Sequence, residues 1–440
     1  MAGNGKFADD FSLTRVPQEA RLPMWEILLV RIGAQTALSQ LMLGAALGYG
    51  MTFWQAVAAT ILGGVLLTVI SLFLGIAGAK EGLSTSLLAR WGGFGTYGSS
   101  IISAVIAIGL IGWFGIQNGV FAKALNQSVN GALGLPLSAV ITGLFVTLIV
   151  VFGFKWLSWT ARIAVPGFLL VVSYGFYHVL RENSLTDLLS SPAPGPAIAL
   201  GTATTMVAGS FMVGSIITPD MGRYCRSNKD MFWIIVIGTF IGELGVNIIG
   251  ILLAHAARSS DVLDIMLKTT GWLGAAIGVL ATVKINDFNL YSSSLSITNV
   301  IDTLFKKKVN RGLVTLIIGL IGTVLSAIGI LGKFQGFLVF LGVWIPPVAG
   351  IILVDYFILK TSRNLLDATR PEGKLPASAA RINPIALVAW IVGFLVGYFV
   401  QFGIPSITSL LVSSAVYYVG MLLLKRRHVV IVTEANHGIK

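Results

Sequence analysis

"VRIGAQTALSQLMLGAALGYG", residues 30–50, is apolar enough to cross a bilayer, yet Gly33, Gln35, Thr36, Ser39 and Gln40 interrupt its middle. Irregular backbone is tolerated at membrane depth only where it lines a cavity or meets protein. A second stretch repeats the pattern. In "TATTMVAGSFMVGSIITPD", residues 202–220, the centre holds Gly209, Ser210 and Gly214. Interrupted spans at corresponding places in two halves are the sequence mark of a secondary transporter's midplane site.

The surrounding chain fits that reading. It is 55% hydrophobic and 11% charged, whereas soluble domains carry roughly a quarter charged residues. Its apolar runs approach the ~20 residues that a membrane helix needs, and the period-two alternation of a membrane barrel is missing. About twelve spans are expected, near 24–47, 53–77, 97–125, 135–155, 162–180, 196–217, 231–254, 271–300, 312–331, 335–359, 383–403 and 405–424. The fold class is therefore an all-α integral membrane protein.

The net charge of +12 is a matter of topology rather than of nucleic-acid binding. With the N-terminus inside, 23 of the 30 Lys and Arg residues fall in inward-facing segments and 5 at outward ends, with Arg31 and Lys284 inside spans. That asymmetry places both termini in the cytoplasm. The two interrupted spans open two blocks of five, and an odd number of spans inverts the second block. The expected organisation is a cytoplasmic segment 1–23, a first repeat 24–182, a second repeat 196–359, two further spans within 383–424 and a cytoplasmic tail 425–440.

Several function classes drop out. Cys225 is the single cysteine and the four histidines are scattered, so no metal cluster or disulfide framework is expected. No phosphate-binding loop or nucleophile elbow is found. The chain reads as neither an enzyme nor an ATP-driven pump, with no cofactor. Its partners are the lipid bilayer and a small molecule.

The motifs "VPQEAR" (16–21), "GWFG" (112–115), "GSF" (209–211), Asp220-x-x-Arg223, "NDFNLY" (286–291), "IPPVAG" (345–350) and "VDY" (354–356) resemble those of the cytosine permeases. These belong to the nucleobase–cation symporter family, with purine, allantoin and hydantoin carriers. The resemblance implies a LeuT-type 5+5 inverted repeat with two further C-terminal helices, in the cytoplasmic membrane, working by alternating access. It also implies that Trp113 and Phe211 stack on a flat base, that Asn289 pairs with its polar edge and that Ser210 adds a contact. An amide offers two donors and an acceptor for such an edge. Gln117, one turn beyond Trp113, resembles the glutamine of hydantoin carriers, while Leu110 stands where cytosine permeases carry one. Cytosine or a purine is the favoured substrate.

One residue departs from the sodium-coupled pattern. In those relatives a cation sits between carbonyls at the break of span one and two adjacent hydroxyl residues on span eight. Here the carbonyls belong to the region of Gly33 and Thr36, but the span-eight pair in "TVKINDFNLYSS" (282–293) is Lys284-Ile285, which offers no oxygen. The lysine ammonium is expected to take the cation's place, with Asp287, three residues on, as a helical neighbour able to form an ion pair. Transport would then be proton-linked or sodium-independent, with sodium coupling as the alternative. A structural ion pair of Lys284 with Asp287 or Glu243 is the plainer possibility. Arg31 is expected to snorkel to the inner interface.

Overall fold

The computed structural model describes residues 11, 14–152, 154–400 and 402–437, of which 152, 154–165, 275 and 426–437 are in backbone only. The rest of the expected cytoplasmic N-terminal segment and the last three tail residues lie outside the described residues.

Helices dominate, and the described residues contain no strand beyond one isolated bridge, Leu22 with Cys225. Six helices are long and apolar enough to cross a membrane: Phe53–Glu81, Thr85–Ser128, Gly134–Val151, Asn228–Ala257, Ile330–Leu359 and Pro405–Lys425. Two bent pairs add span one (Met24–Gln35 with Leu38–Gly50) and span eight (Val262–Gly274 with Ala276–Phe305). The helix Phe154–Glu182 and the shorter apolar helices Leu200–Ile216, Arg311–Ala327 and Pro384–Phe399 fill the remaining places among the twelve expected spans.

Local chemistry sets the ends of these helices. Thr52 and Gln55 form a reciprocal capping box at the start of span two, and Gly82 closes it in the left-handed region (φ 64°), where a glycine has no Cβ penalty. Asn310 caps span nine through the amides of Gly312 and Leu313. In span eight Gly271, at φ 67°, turns the chain before the spanning part begins.

Burial separates a core from a periphery. In the most apolar stretch of Thr85–Ser128 78% of residues are buried, against 17% in Pro405–Lys425. Span three is therefore central and span twelve peripheral. Span two exposes Ile61, Leu62, Val65, Val69 and Phe73, a ridge suited to lipid tails. Spans one and seven cross closely. A Cβ on Gly44 would lie 3.0 Å from the Cα atoms of both Asn247 and Gly250, the small-residue contact that membrane helices use to approach.

On the face where the chain begins, Arg15 is tied to Glu81 at 3.0 Å. Arg370 reaches the same carboxylate at 2.6 Å, and Tyr356 donates its hydroxyl to it at 2.6 Å. This buried cluster holds the N-terminal segment, the end of span two and the chain after span ten together.

Candidate substrate and cation site

The break in span one comes from backbone geometry. Thr36 (φ −85°, ψ 69°) ends the first helix, and Ala37 is extended (φ −120°, ψ 159°), so the next helix starts at a bend of 50°. Carbonyls just before the break lose their helical donors. The Ile32 carbonyl is taken by the amide of Thr36 at 2.8 Å and by its hydroxyl at 2.9 Å. The Gly33 carbonyl has no such local donor. It accepts from the Lys284 Nζ, which reaches across from span eight to 3.3 Å.

Asp287 is not brought to that amine. It is buried with its Oδ1 unpartnered, and no ion pair links Lys284 to Asp287 or Glu243 among the described residues. Spacing of three along a helix makes neighbours. Here, however, the lysine stem extends away from its own helix to a carbonyl of span one.

The residues expected at the substrate are spread over three spans, three, six and eight, with span ten packed between the first two. Trp113 on span three is buried and meets the rings of Phe334 and Phe337 edge-on, with centroids 6.3 Å and 5.3 Å away. Next to Phe337, the Leu338 carbonyl packs on Gly209, immediately before Ser210 and Phe211. One turn before Trp113, a Cβ on Gly109 would lie 2.9 Å from Val213 of span six. Trp113 and Phe211 therefore stand on adjoining helices, and no contact between their rings occurs among the described residues.

Hydrogen bonds tie span eight to the same region. Asn289 donates to the Asn286 side chain at 3.3 Å, and Asn286 donates to the Phe114 carbonyl at 3.2 Å, beside Trp113. Asn286 thus positions Asn289. Gln117 is buried with its Oε1 unpartnered, so that oxygen makes no interhelical bond. The Ser210 hydroxyl is engaged within the protein, 2.7 Å from the Val207 carbonyl and 3.4 Å from Glu243 Oε1.

Two expectations need correction. Arg31 does not snorkel. It is fully buried, its guanidinium lies 4.5 Å above the Phe211 ring, and it donates to Ser71 at 3.2 Å and Thr218 at 3.5 Å. Hydroxyls and an aromatic face inside the protein replace the interfacial water that snorkelling would seek. Span six is likewise not interrupted at its centre. It runs as one helix from Leu200 to Ile216 and changes course at Ile217, before the short helix Thr218–Gly222. Gly209 serves close packing on span ten, and Gly214 leaves room for the Phe211 side chain.

Comparison with known proteins gives the family and the fold. A family model described as a permease for cytosine/purines, uracil, thiamine and allantoin matches residues 15–420. The chain belongs to this family. It is 30% identical over 432 residues to the cytosine permease of Escherichia coli K12, covering 97% of this chain and 98% of that one. It is 24% identical to the hydantoin permease of Microbacterium maritypicum, covering 78% and 75%. Among solved structures it resembles inward-facing Mhp1, with a TM-score of 0.79, 18% identity and 94% of each chain covered. It also resembles the closed form of Mhp1, a nucleobase-cation-symport-1 transporter with bromovinylhydantoin bound, with a TM-score of 0.75 and 19% identity over 94% and 96% of the two chains. The permease is thus a multi-pass membrane transporter of the LeuT-type fold, and not an enzyme.

Proposed function

We propose that this permease imports a nucleobase or closely related flat nitrogen heterocycle, cytosine or a purine first, across the cytoplasmic membrane. It does so by alternating access, with both termini inside. The base stacks between Trp113 and Phe211, and Asn289 and Gln117 pair with its edge. Ring stacking contributes about 0.5–1.5 kcal/mol beyond area burial. A buried amide oxygen left without a partner is costly, so the unpartnered Oε1 of Gln117 favours a ligand that donates to it.

The observation that carries the coupling is the contact of Lys284 with the Gly33 carbonyl. The ammonium takes the position of a metal cation beside the break of span one, so transport is sodium-independent or proton-coupled, and proton coupling is the first reading. A sodium-coupled hydantoin or allantoin carrier is the second reading, favoured by Gln117 at the turn after Trp113. Uptake of radiolabelled cytosine, adenine, hypoxanthine and allantoin into proteoliposomes, under imposed proton or sodium gradients, tests both. The first reading expects cytosine or a purine to accumulate with a proton gradient alone. Accumulation of allantoin that requires sodium would replace it by the second.

A further inference from the structure

We propose that Glu243 is a proton-carrying group of the transport cycle, taking up a proton from the outer side as the site closes over the base and releasing it once the site opens inward. The proposal rests on the proton-linked reading above and concerns which residue holds the moving proton.

Glu243 sits in a wide helical turn, Phe240–Gly245, inside span seven; such π-bulges concentrate at functional sites. The residue is 1% exposed. Its Oε1 accepts from Ser210 at 3.4 Å, while Oε2 is buried without a partner. No lysine, arginine or histidine forms an ion pair with it among the described residues.

Its surroundings fit either protonation state. Span one presents Arg31, Gln35 and Gln40 to it, from both sides of the break. A Cβ on Gly238, just before the bulge, would lie 3.2 Å from Gln35 Oε1. Span six presents the Ser210 hydroxyl. Span two carries no charged residue between Phe53 and Ala79. From span eight, neither Lys284 nor Asp287 pairs with it. On its own span, Asn247 is buried with both side-chain polar atoms unpartnered.

Amides donate and accept. The glutamines can therefore give hydrogen bonds to a carboxylate or take one from a carboxylic acid. A salt-bridged glutamate would be held in one charge state, whereas this one has no ion-pair partner among the described residues. An ionised carboxylate at membrane depth is expensive unless it is paired or watered, so closure of the site favours the acid and opening to water favours the carboxylate. The step forms and breaks one O–H bond, the proton passing between water and a Glu243 oxygen. Ser210 touches Glu243 and adjoins Phe211, which places the proton one residue from the stacking ring. Lys284 remains a resident cation in this scheme.

The test uses wild type, Glu243→Gln and Glu243→Asp in proteoliposomes containing a trapped pH dye, with cytosine, adenine, hypoxanthine and allantoin added in turn. Wild type should acidify the lumen in step with uptake of the transported base. Glu243→Gln should abolish the acidification and bring the ratio of uptake with and without an inward proton gradient down to about one, while Glu243→Asp keeps that ratio above one. Acidification by Glu243→Gln at the wild-type rate would overturn the proposal. So would a folded Glu243→Gln protein that takes up no base under any gradient, because Glu243 would then serve substrate binding. Wild-type uptake that is driven by sodium with no acidification would instead sink the proton-linked reading itself.

Discussion

The ammonium nitrogen of Lys284 lies 3.3 Å from the carbonyl oxygen of Gly33, joining span eight to the break in span one. An intramembrane lysine costs about 2.5–3.5 kcal/mol on insertion scales, and a hydrogen bond to a charged group returns about 1.5–3 kcal/mol. That contact therefore offsets part of the cost without a carboxylate partner. On the proposed function, the same contact supplies the positive charge of the cation site from the protein itself.

Restoring oxygen ligands should restore a metal requirement. The double variant Lys284→Ser with Ile285→Thr recreates the adjacent hydroxyls of the sodium-coupled relatives. Its uptake is expected to rise several-fold on adding sodium, measured as initial rate against sodium concentration. A flat response would mean that the position is not a cation site.

On the proposed function, the rings of Trp113 and Phe211 should set affinity. Trp113→Ala and Phe211→Ala should each raise the KM for the transported base about tenfold or more, since losing ~1.4 kcal/mol is a factor of ten. The Phe211 variant should also lower the melting temperature, because it removes the surface on which Arg31 rests. Kinetics and thermal unfolding in detergent separate the two effects.

Polar recognition should show as selectivity. Gln117→Leu removes the oxygen that has no partner among the described residues, and is expected to weaken binding of bases that donate to it by about 1–3 kcal/mol, the penalty for a lost buried partner. Asn286→Ala should act through Asn289, broadening the range of competing bases in inhibition assays more than it lowers stability.

The cluster on the N-terminal face should be structural. Glu81→Ala leaves Arg15 and Arg370 without their shared carboxylate. Removing one member of a buried ion pair costs about 3–5 kcal/mol, so the melting temperature should fall markedly in detergent. An unchanged melting temperature would show that the cluster is solvated in the membrane-bound protein.

Much of this was legible in the chain. Apolar length and the distribution of Lys and Arg pointed to the spans. The polar centre of residues 30–50 located the break that the structure places at Thr36 and Ala37. Span six misled because glycine is used in two ways, and Gly209 answers to the backbone of span ten rather than to a bend. Arg31 misled for a similar reason. Its partners Ser71, Thr218 and Phe211 lie on other spans, and nothing in the local sequence announces a buried guanidinium. Asp287 follows Lys284 at helical spacing, but spacing does not fix which way a long side chain leaves its helix. In the sequence Glu243 stood out only as a conceivable ion-pair partner of Lys284, and its unpartnered Oε2 became visible once spans one and six were packed against it.

The most direct test is the initial rate of uptake by wild type and Lys284→Ala in proteoliposomes, with sodium replaced by choline and an inward proton gradient imposed. The account predicts that wild type accumulates its base at the same rate in choline as in sodium, and that Lys284→Ala loses this accumulation. Wild-type uptake that collapses without sodium, or that survives Lys284→Ala unchanged, would contradict it.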